Sequence, residues 1–252
     1  MPNNNDIFSY MTWSHQEIEN KWQKSWYKNN LYKATDNDQK RQKMYILTEF
    51  PFPSGASFHV GHGFRYTVPD IYSRFLRMRG YNVMFPMGWD AFGLPTEEFA
   101  RKTGANPKEV TKQNIQSLKN DMLMMGYSFD WEREFATTDE GYYKWTQWIF
   151  GEFYKAGLAE QSEAELWWSD TLKTVLSNEE VLDDENGNKI SERGGYPVIK
   201  KTMKQWVLKM PEYGDKLLDG LDQTQFPKHV KDMQKNWIGK SEGVVVDWEL
   251  VE

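Results

Sequence analysis

The sequence predicts an α/β fold: a parallel sheet with helical crossovers, carrying a small inserted β-rich lobe. Three observations predict it. MYILTEF (44–50) and YNVMFP (81–86) are short apolar runs of strand length. Between them, Val60 to Arg79 has helical spacing, so 44–86 reads strand, turn, helix, strand, a parallel βαβ unit. Residues 160–200 then change texture, becoming acidic and turn-rich, with ENGNK (185–189) and ERGGYP (192–197) as hairpin signals.

The elements follow in order. Residues 13–31 place Trp13, Ile18, Trp22, Trp26 and Tyr27 at helical spacing. ATDNDQKRQK is a polar loop. The helix from Val60 is expected to pack through Ile71, Phe75, Leu76 and Met78 and to stop at Gly80. Residues 107–126 and 139–157 read as helices, the second rich in aromatics. KQWVLKM (204–210) reads as a strand and 212–220 as a short helix. The end, NWIGKSEGVVVDWELVE, alternates like a strand. The expected organisation is 1–158 as the main α/β part, 159–202 as the lobe, and 203–252 as a return to the main part and the start of a further, connective insertion.

Bulk properties narrow the function. A chain of 252 residues and 29.9 kDa suffices for one large domain or a domain with a satellite. Only 39% of residues are hydrophobic, which points to an open, lobed shape, and 12 Trp supply apolar area. A net charge of −6 argues against a nonspecific nucleic-acid coat but leaves room for a local basic face. Cysteine is absent, which excludes disulfides and Cys-ligated metals and fits an intracellular setting. The start lacks the basic and apolar segments of a secretory leader, and no apolar run is long enough to span a membrane.

The chemistry concentrates in PFPSGASFHVGH (51–62), which leaves a strand and enters a helix. Ligands of parallel α/β sheets lie beyond the carboxyl ends of the strands. Pro51 and Pro53 stiffen the turn, while Ser54, Gly55, Ala56 and Ser57 keep it thin. A helix N-terminus offers free N–H groups and partial positive charge, which suits phosphate. His59 and His62 share one face of the first turn and can donate to phosphate oxygens. Gly61 between them admits a flat base. A zinc half-site is the other reading of His-x-x-His, yet no Cys exists and the remaining histidines, His15 and His229, are distant. An exposed helix start with no ligand is a third. FPMGWDAFGLP (85–95) sets Asp90 at the end of the second strand, where a carboxylate can pair with an ammonium or cap the next helix.

His59-Val60-Gly61-His62 resembles the HIGH signature of class I aminoacyl-tRNA synthetases, and GWDAFGLP resembles the leucyl form of their second signature. YSFDWEREFATTD (127–139), YYKWTQWIF, TVLSNEEV, SERGGYPV, MKQWVLK and DMQKNWIGKSEG continue the resemblance in order along nearly the whole chain. The ERGGYPV lobe and the Ala-Ser spacer after Gly55 are similar to the Gram-positive-like bacterial form.

The resemblance implies a Rossmann-like sheet, the first half of a synthetase catalytic domain. It implies ATP-dependent activation of leucine and transfer of the leucyl group to the terminal adenosine of tRNA(Leu), in the cytoplasm. His59, Val60, Gly61 and His62 would bind ATP, accompanied by Mg²⁺, with His59 and His62 as the catalytic pair. Phe50 through its carbonyl, Phe52, and Asp90 would bind leucine. Three departures stand out. Glu49 is polar where Met is usual, with a solvent-facing side chain expected because a buried unpaired carboxylate is costly. Phe52 replaces a Tyr. Ser169 stands where relatives often place a zinc-binding Cys, so no zinc is expected. The sequence holds no Lys-Met-Ser-Lys-Ser-type loop, so the remaining part of a synthetase is an expected partner. Lys228, Lys231, Lys235 and Lys240 are either a face toward tRNA or solvated helix charges. The alternatives are a valyl or isoleucyl enzyme, against which Ala91-Phe92 argues, and a noncatalytic tRNA- or partner-binding fragment.

Overall fold

The computed structural model describes residues 14–55, 58–241, 243–246 and 248. It divides into two compact units, one ending at Thr146 and one beginning at Gln147.

The first unit opens with α1 (His15–Lys28), started by Ser14, whose hydroxyl accepts the Glu17 N–H at 3.3 Å. β1 (Lys43–Tyr45), α2 (Val60–Met78) and β2 (Asn82–Met84) form the expected βαβ unit, paired in parallel from Lys43↔Asn82 to Tyr45↔Met84. The Ile46 N–H donates to the Met84 carbonyl at 3.0 Å, and beyond it the chain turns away toward Pro51. This is why β1 is shorter than 44–50. β3 (Gly88–Trp89) lies parallel to β4 (Phe135–Ala136). Gly80 adopts φ +85° and ends α2 as expected, in a conformation that suits glycine. Pro69 lies inside α2.

α3 (Leu94–Thr103) is an unexpected helix, although Pro95 in its first turn is a start signal. It is followed by α4 (Pro107–Met124), whose Asn106 side chain accepts the Lys108 N–H. The core joins Tyr66 and Leu76 of α2 to Val83, Phe85, Met87 and Trp89, with Leu118 and Met122 of α4 and Phe129 beneath. Full burial of side chains this large contributes ~1.5–3 kcal/mol each.

The packed face of α2 is a correction. Of the four residues expected inside, only Leu76 is buried; Ile71, Phe75 and Met78 are exposed. Tyr66, Asp70 and Ser73 take the inner positions. Asp70 explains the reversal: its carboxylate accepts from Arg74 Nε at 2.8 Å and from the Ser128 N–H at 2.6 Å. Arg74 also reaches the Tyr32 hydroxyl and the Gly126 carbonyl, and Arg77 reaches the Ser128 hydroxyl. A satisfied polar network occupies the side that an apolar pattern alone would have filled.

α5 (Glu140–Lys155) crosses the division between the units. In the second unit, β5 (Ala159–Ser169) pairs antiparallel with β6 (Thr174–Leu176) and with β9 (Ile199–Leu208), the latter from Ala159↔Leu208 to Trp168↔Ile199. β7 (Val181–Asp183) and β8 (Lys189–Ser191) form a hairpin whose Asp184 carboxylate accepts the Asn186 and Asn188 N–H groups, with Gly187 at φ +80°. The strand anticipated at 204–210 therefore begins earlier and belongs to the sheet of the lobe. α6 (Gly214–Leu221) and α7 (Lys228–Ile238) follow. Lys228 pairs with Asp232, Lys235 with Asp222 and Lys240 with Asp215, as solvated charges do. Residues 243–246 form no strand; most of the remaining alternation expected at the end lies outside the described residues. No described helix is long and apolar enough to cross a membrane.

Candidate active site

The turn after β1 is held at three points by residues far away in sequence. The Asp90 N–H donates to the Pro51 carbonyl at 3.1 Å. The Asn114 side chain donates to the Pro53 carbonyl at 2.9 Å, and the Phe58 N–H donates to Asp121 Oδ2 at 3.1 Å. Pro51 and Pro53 are buried, while Ser54 and Gly55 are exposed. Ala56 and Ser57 lie outside the described residues. Asn114 and Asp121 were not picked out from sequence. Their signal was a polar pair seven apart on one face of α4, on either side of buried Leu118.

The turn delivers the two histidines to the start of α2. His59 is the N-cap in extended conformation. Its N–H donates to His62 Nδ1 at 3.3 Å, which leaves the His62 proton on Nε2. The two rings stack at 3.8 Å between centroids, and the His62 ring lies parallel to that of buried Tyr66 at 6.0 Å. Burial, then the neighbouring His59 and Arg65, hold His62 below its ordinary value of 6.5; Glu49 opposes them. Burial pushes the Tyr66 phenol up to about 12, so it is uncharged. Val60 is 90% exposed. Gly61 is exposed on one side, but a Cβ there would come within 2.9 Å of His59 Cε1, so the His59 ring itself covers the space that a base was expected to use.

Asp90 follows β3 and is half-buried. Its neighbours are fixed on the far side as well: the Ala91 N–H donates to the Thr137 hydroxyl and the Thr137 N–H to the Trp89 carbonyl, both at 2.9 Å. Phe50 packs edge-on against Phe135 at 5.2 Å, and both rings lie over Gly88. Phe52 is 60% exposed. Glu49 faces solvent as expected and adds an ion pair with Arg65 at 3.1 Å. The Asp90 backbone is thus bonded to the start of the turn whose far end carries the His pair, and Phe50 immediately precedes that turn. A separate cavity of about 690 Å³ opens beside Ala91 and Phe92 toward Thr111, Ile115, Asp139 and Tyr143, without touching the histidines. Among the described residues, no three His, Asp or Glu side chains are placed to share a metal ion.

The family model described as tRNA synthetases class I (I, L, M and V) matches residues 21–250. The chain belongs to this family. Among curated class I synthetases, it is 54% identical over 239 residues to a leucine–tRNA ligase of Mycoplasma mycoides and 53% identical over 239 residues to that of Mycoplasma capricolum. Each match covers 95% of this chain, but the chain spans only 29% of the length of either relative. Among solved structures, the ternary complex of Agrobacterium radiobacter LeuRS with tRNA and LeuAMS superposes with a TM-score of 0.79 at 34% identity, over 89% of this chain and 28% of that one. The methionyl-tRNA synthetase of Mycobacterium tuberculosis, bound to methionyl-adenylate, reaches 0.66 at 22% identity over 78% of this chain and 38% of that one, a likeness of fold. The expected parallel α/β fold with a β-rich insert is therefore that of a class I synthetase catalytic domain.

Proposed function

We propose that this chain is the N-terminal part of a leucine–tRNA ligase. It would activate leucine with ATP and, with the remaining part of the synthetase, pass the leucyl group to the 3′-terminal adenosine of tRNA(Leu) in the cytoplasm. The observation that carries this reading is the single turn, fixed at three points, that joins the Asp90 backbone to the stacked His59–His62 pair at a helix start. The 54% identity to a leucine–tRNA ligase supports leucine as the amino acid.

In this reading leucine enters with its ammonium between the Asp90 carboxylate and the Phe50 carbonyl, and Phe52 flanks its side chain. One carboxylate oxygen forms a bond to the α-phosphorus of ATP. The bond from that phosphorus to the bridging oxygen breaks, and pyrophosphate leaves with the electron pair. A ribose hydroxyl of tRNA then attacks the carbonyl carbon and AMP leaves. The His62 Nε2–H and the free N–H groups of α2 meet the phosphates as fixed donors, placed before the charge develops. His59 is exposed, so its ring would have to move off Gly61 for adenine to lie there. Mg²⁺, accompanying ATP, would be carried by the phosphates themselves, whose charge it would offset.

The test is ligand binding by this chain. Leucine should bind more tightly than valine or isoleucine, with Asp90→Ala abolishing amino-acid binding and His62→Ala weakening ATP. An apolar pocket alone separates such side chains by only ~10–200-fold. Tighter binding of valine or isoleucine would overturn the leucine assignment.

A further inference from the structure

Glu49 and Arg65 are joined by the ion pair at 3.1 Å, yet neither belongs to a signature. Glu49 immediately precedes Phe50. Arg65 stands three residues after His62, one turn further into α2. Both side chains are substantially exposed, 62% for Glu49 and 39% for Arg65, and pairs of this kind contribute little to stability. Its value therefore lies in what it joins. Tyr45 ends the paired part of β1, and Ile46 makes the last ladder bond, so Glu49 and Phe50 hang beyond the sheet. Without Arg65, the segment carrying the Phe50 carbonyl would be held by the Phe50–Phe135 ring contact and by the Asp90 bond to Pro51.

We propose that Arg65 is a positioning residue, which through Glu49 ties the strand end carrying the Phe50 carbonyl to the helix turn carrying His62. The proposal rests on the leucine and ATP reading above and deepens it: one exposed pair couples the amino-acid half of the site to the nucleotide half. A second link runs through charge. The groups facing His62 are the rings of Phe58, His59 and Tyr66, the guanidinium of Arg65 and the carboxylate of Glu49; Tyr127 packs behind Phe58, and Asp121 holds the Phe58 N–H. Burial and His59 lower the His62 value most, Arg65 lowers it further and Glu49 opposes them, so each partner adjusts the proton of a phosphate-facing donor.

The experiment is NMR of this chain, following the Phe50 amide and the His62 ring against pH. The variants are Glu49→Gln, Arg65→Gln, Arg65→Lys and the reversed pair Glu49→Arg with Arg65→Glu. Glu49→Gln should make His62 titrate at lower pH and Arg65→Gln at higher pH. The Phe50 amide should shift in both and return toward its original position in Arg65→Lys and in the reversed pair. A purely structural role would not move the two titrations in opposite directions. Unchanged His62 titrations, or a Phe50 amide indifferent to Arg65→Gln, would overturn the proposal. These readouts need no ligand. If they hold while leucine and ATP perturb neither signal, the tie stands and the ligase reading of the turn fails.

Discussion

Gly88 fixes two rings by having no side chain. A Cβ there would meet Phe135 Cζ and the Phe50 ring at 2.8 Å. Gly88→Ala should therefore destabilise the protein by ~1–3 kcal/mol, as overpacked cores do. Urea denaturation checks this, and leucine affinity should fall with it because Phe50 moves. His62 gives a pH prediction. Its folded value lies below 6.5, so the unfolded chain binds its proton first as pH falls. The stability contribution is complete above pH 6.5 and is lost as pH drops from there through the lower folded value. His62→Gln should flatten that part of the stability–pH profile; an unchanged profile would refute the assignment. At this scale position was readable from type and spacing: His59 and His62 lie at a helix start and Asp90 directly after a short strand, as expected. Asn114, Asp121 and Thr137 act by reaching across the fold; the spacing of Asn114 and Asp121 marks a shared helix face, but not the partner more than sixty residues away. Nor could spacing reveal that the His59 ring lies over Gly61.

At the scale of elements, periodicity identified α2 but chose the wrong side of it. A 3.6-residue pattern finds the apolar face, and here that face is largely outside because Asp70 pairs with Arg74 and accepts the Ser128 N–H on the other side, where Arg77 donates to the Ser128 hydroxyl. Asp70→Ala should leave the Ser128 N–H and Arg74 Nε without their acceptor. A cost of ~1–3 kcal/mol is expected, measured by thermal or urea unfolding. β5 and β6 were visible only as a turn-rich texture and β9 only through its second half, since antiparallel partners far apart in sequence leave no local record of their pairing. Within this lobe, Ser169 and Ser191 are buried and their hydroxyls close two tight turns. Ser169 Oγ accepts the Leu172 N–H at 3.3 Å; Ser191 Oγ accepts the Tyr196 N–H at 3.1 Å and donates to the Arg193 carbonyl at 2.8 Å. Hydroxyls at these places hold the turns through hydrogen bonds. Ser191→Ala, which loses two bonds, should lower the melting temperature more than Ser169→Ala, which loses one. Metal analysis of the purified chain should find no zinc, and one zinc per chain would contradict that account of the lobe.

For the molecule as a whole, the outer face of α2 has the largest consequence. Val60 and Phe64 are 90% and 81% exposed, Met78 is 87% exposed, and Val68, Ile71 and Phe75 lie between them. A stripe of this length favours association. Light scattering should show concentration-dependent growth of the purified chain, reduced by Phe64→Ser with Met78→Ser while far-ultraviolet circular dichroism is unchanged. The three bonds that fix the signature turn carry a further consequence. They reach Pro51, Pro53 and Phe58 from Asp90, Asn114 and Asp121, with 61 and 63 residues spanned by the last two. A synthetic peptide of residues 44–63 would contain every letter of the first signature and none of its geometry. The loop entropy that such distant contacts must overcome is recovered only when the whole unit folds. Nucleotide affinity should therefore vanish in one step with the near-ultraviolet signal of the buried aromatics, with no temperature at which the turn survives its scaffold.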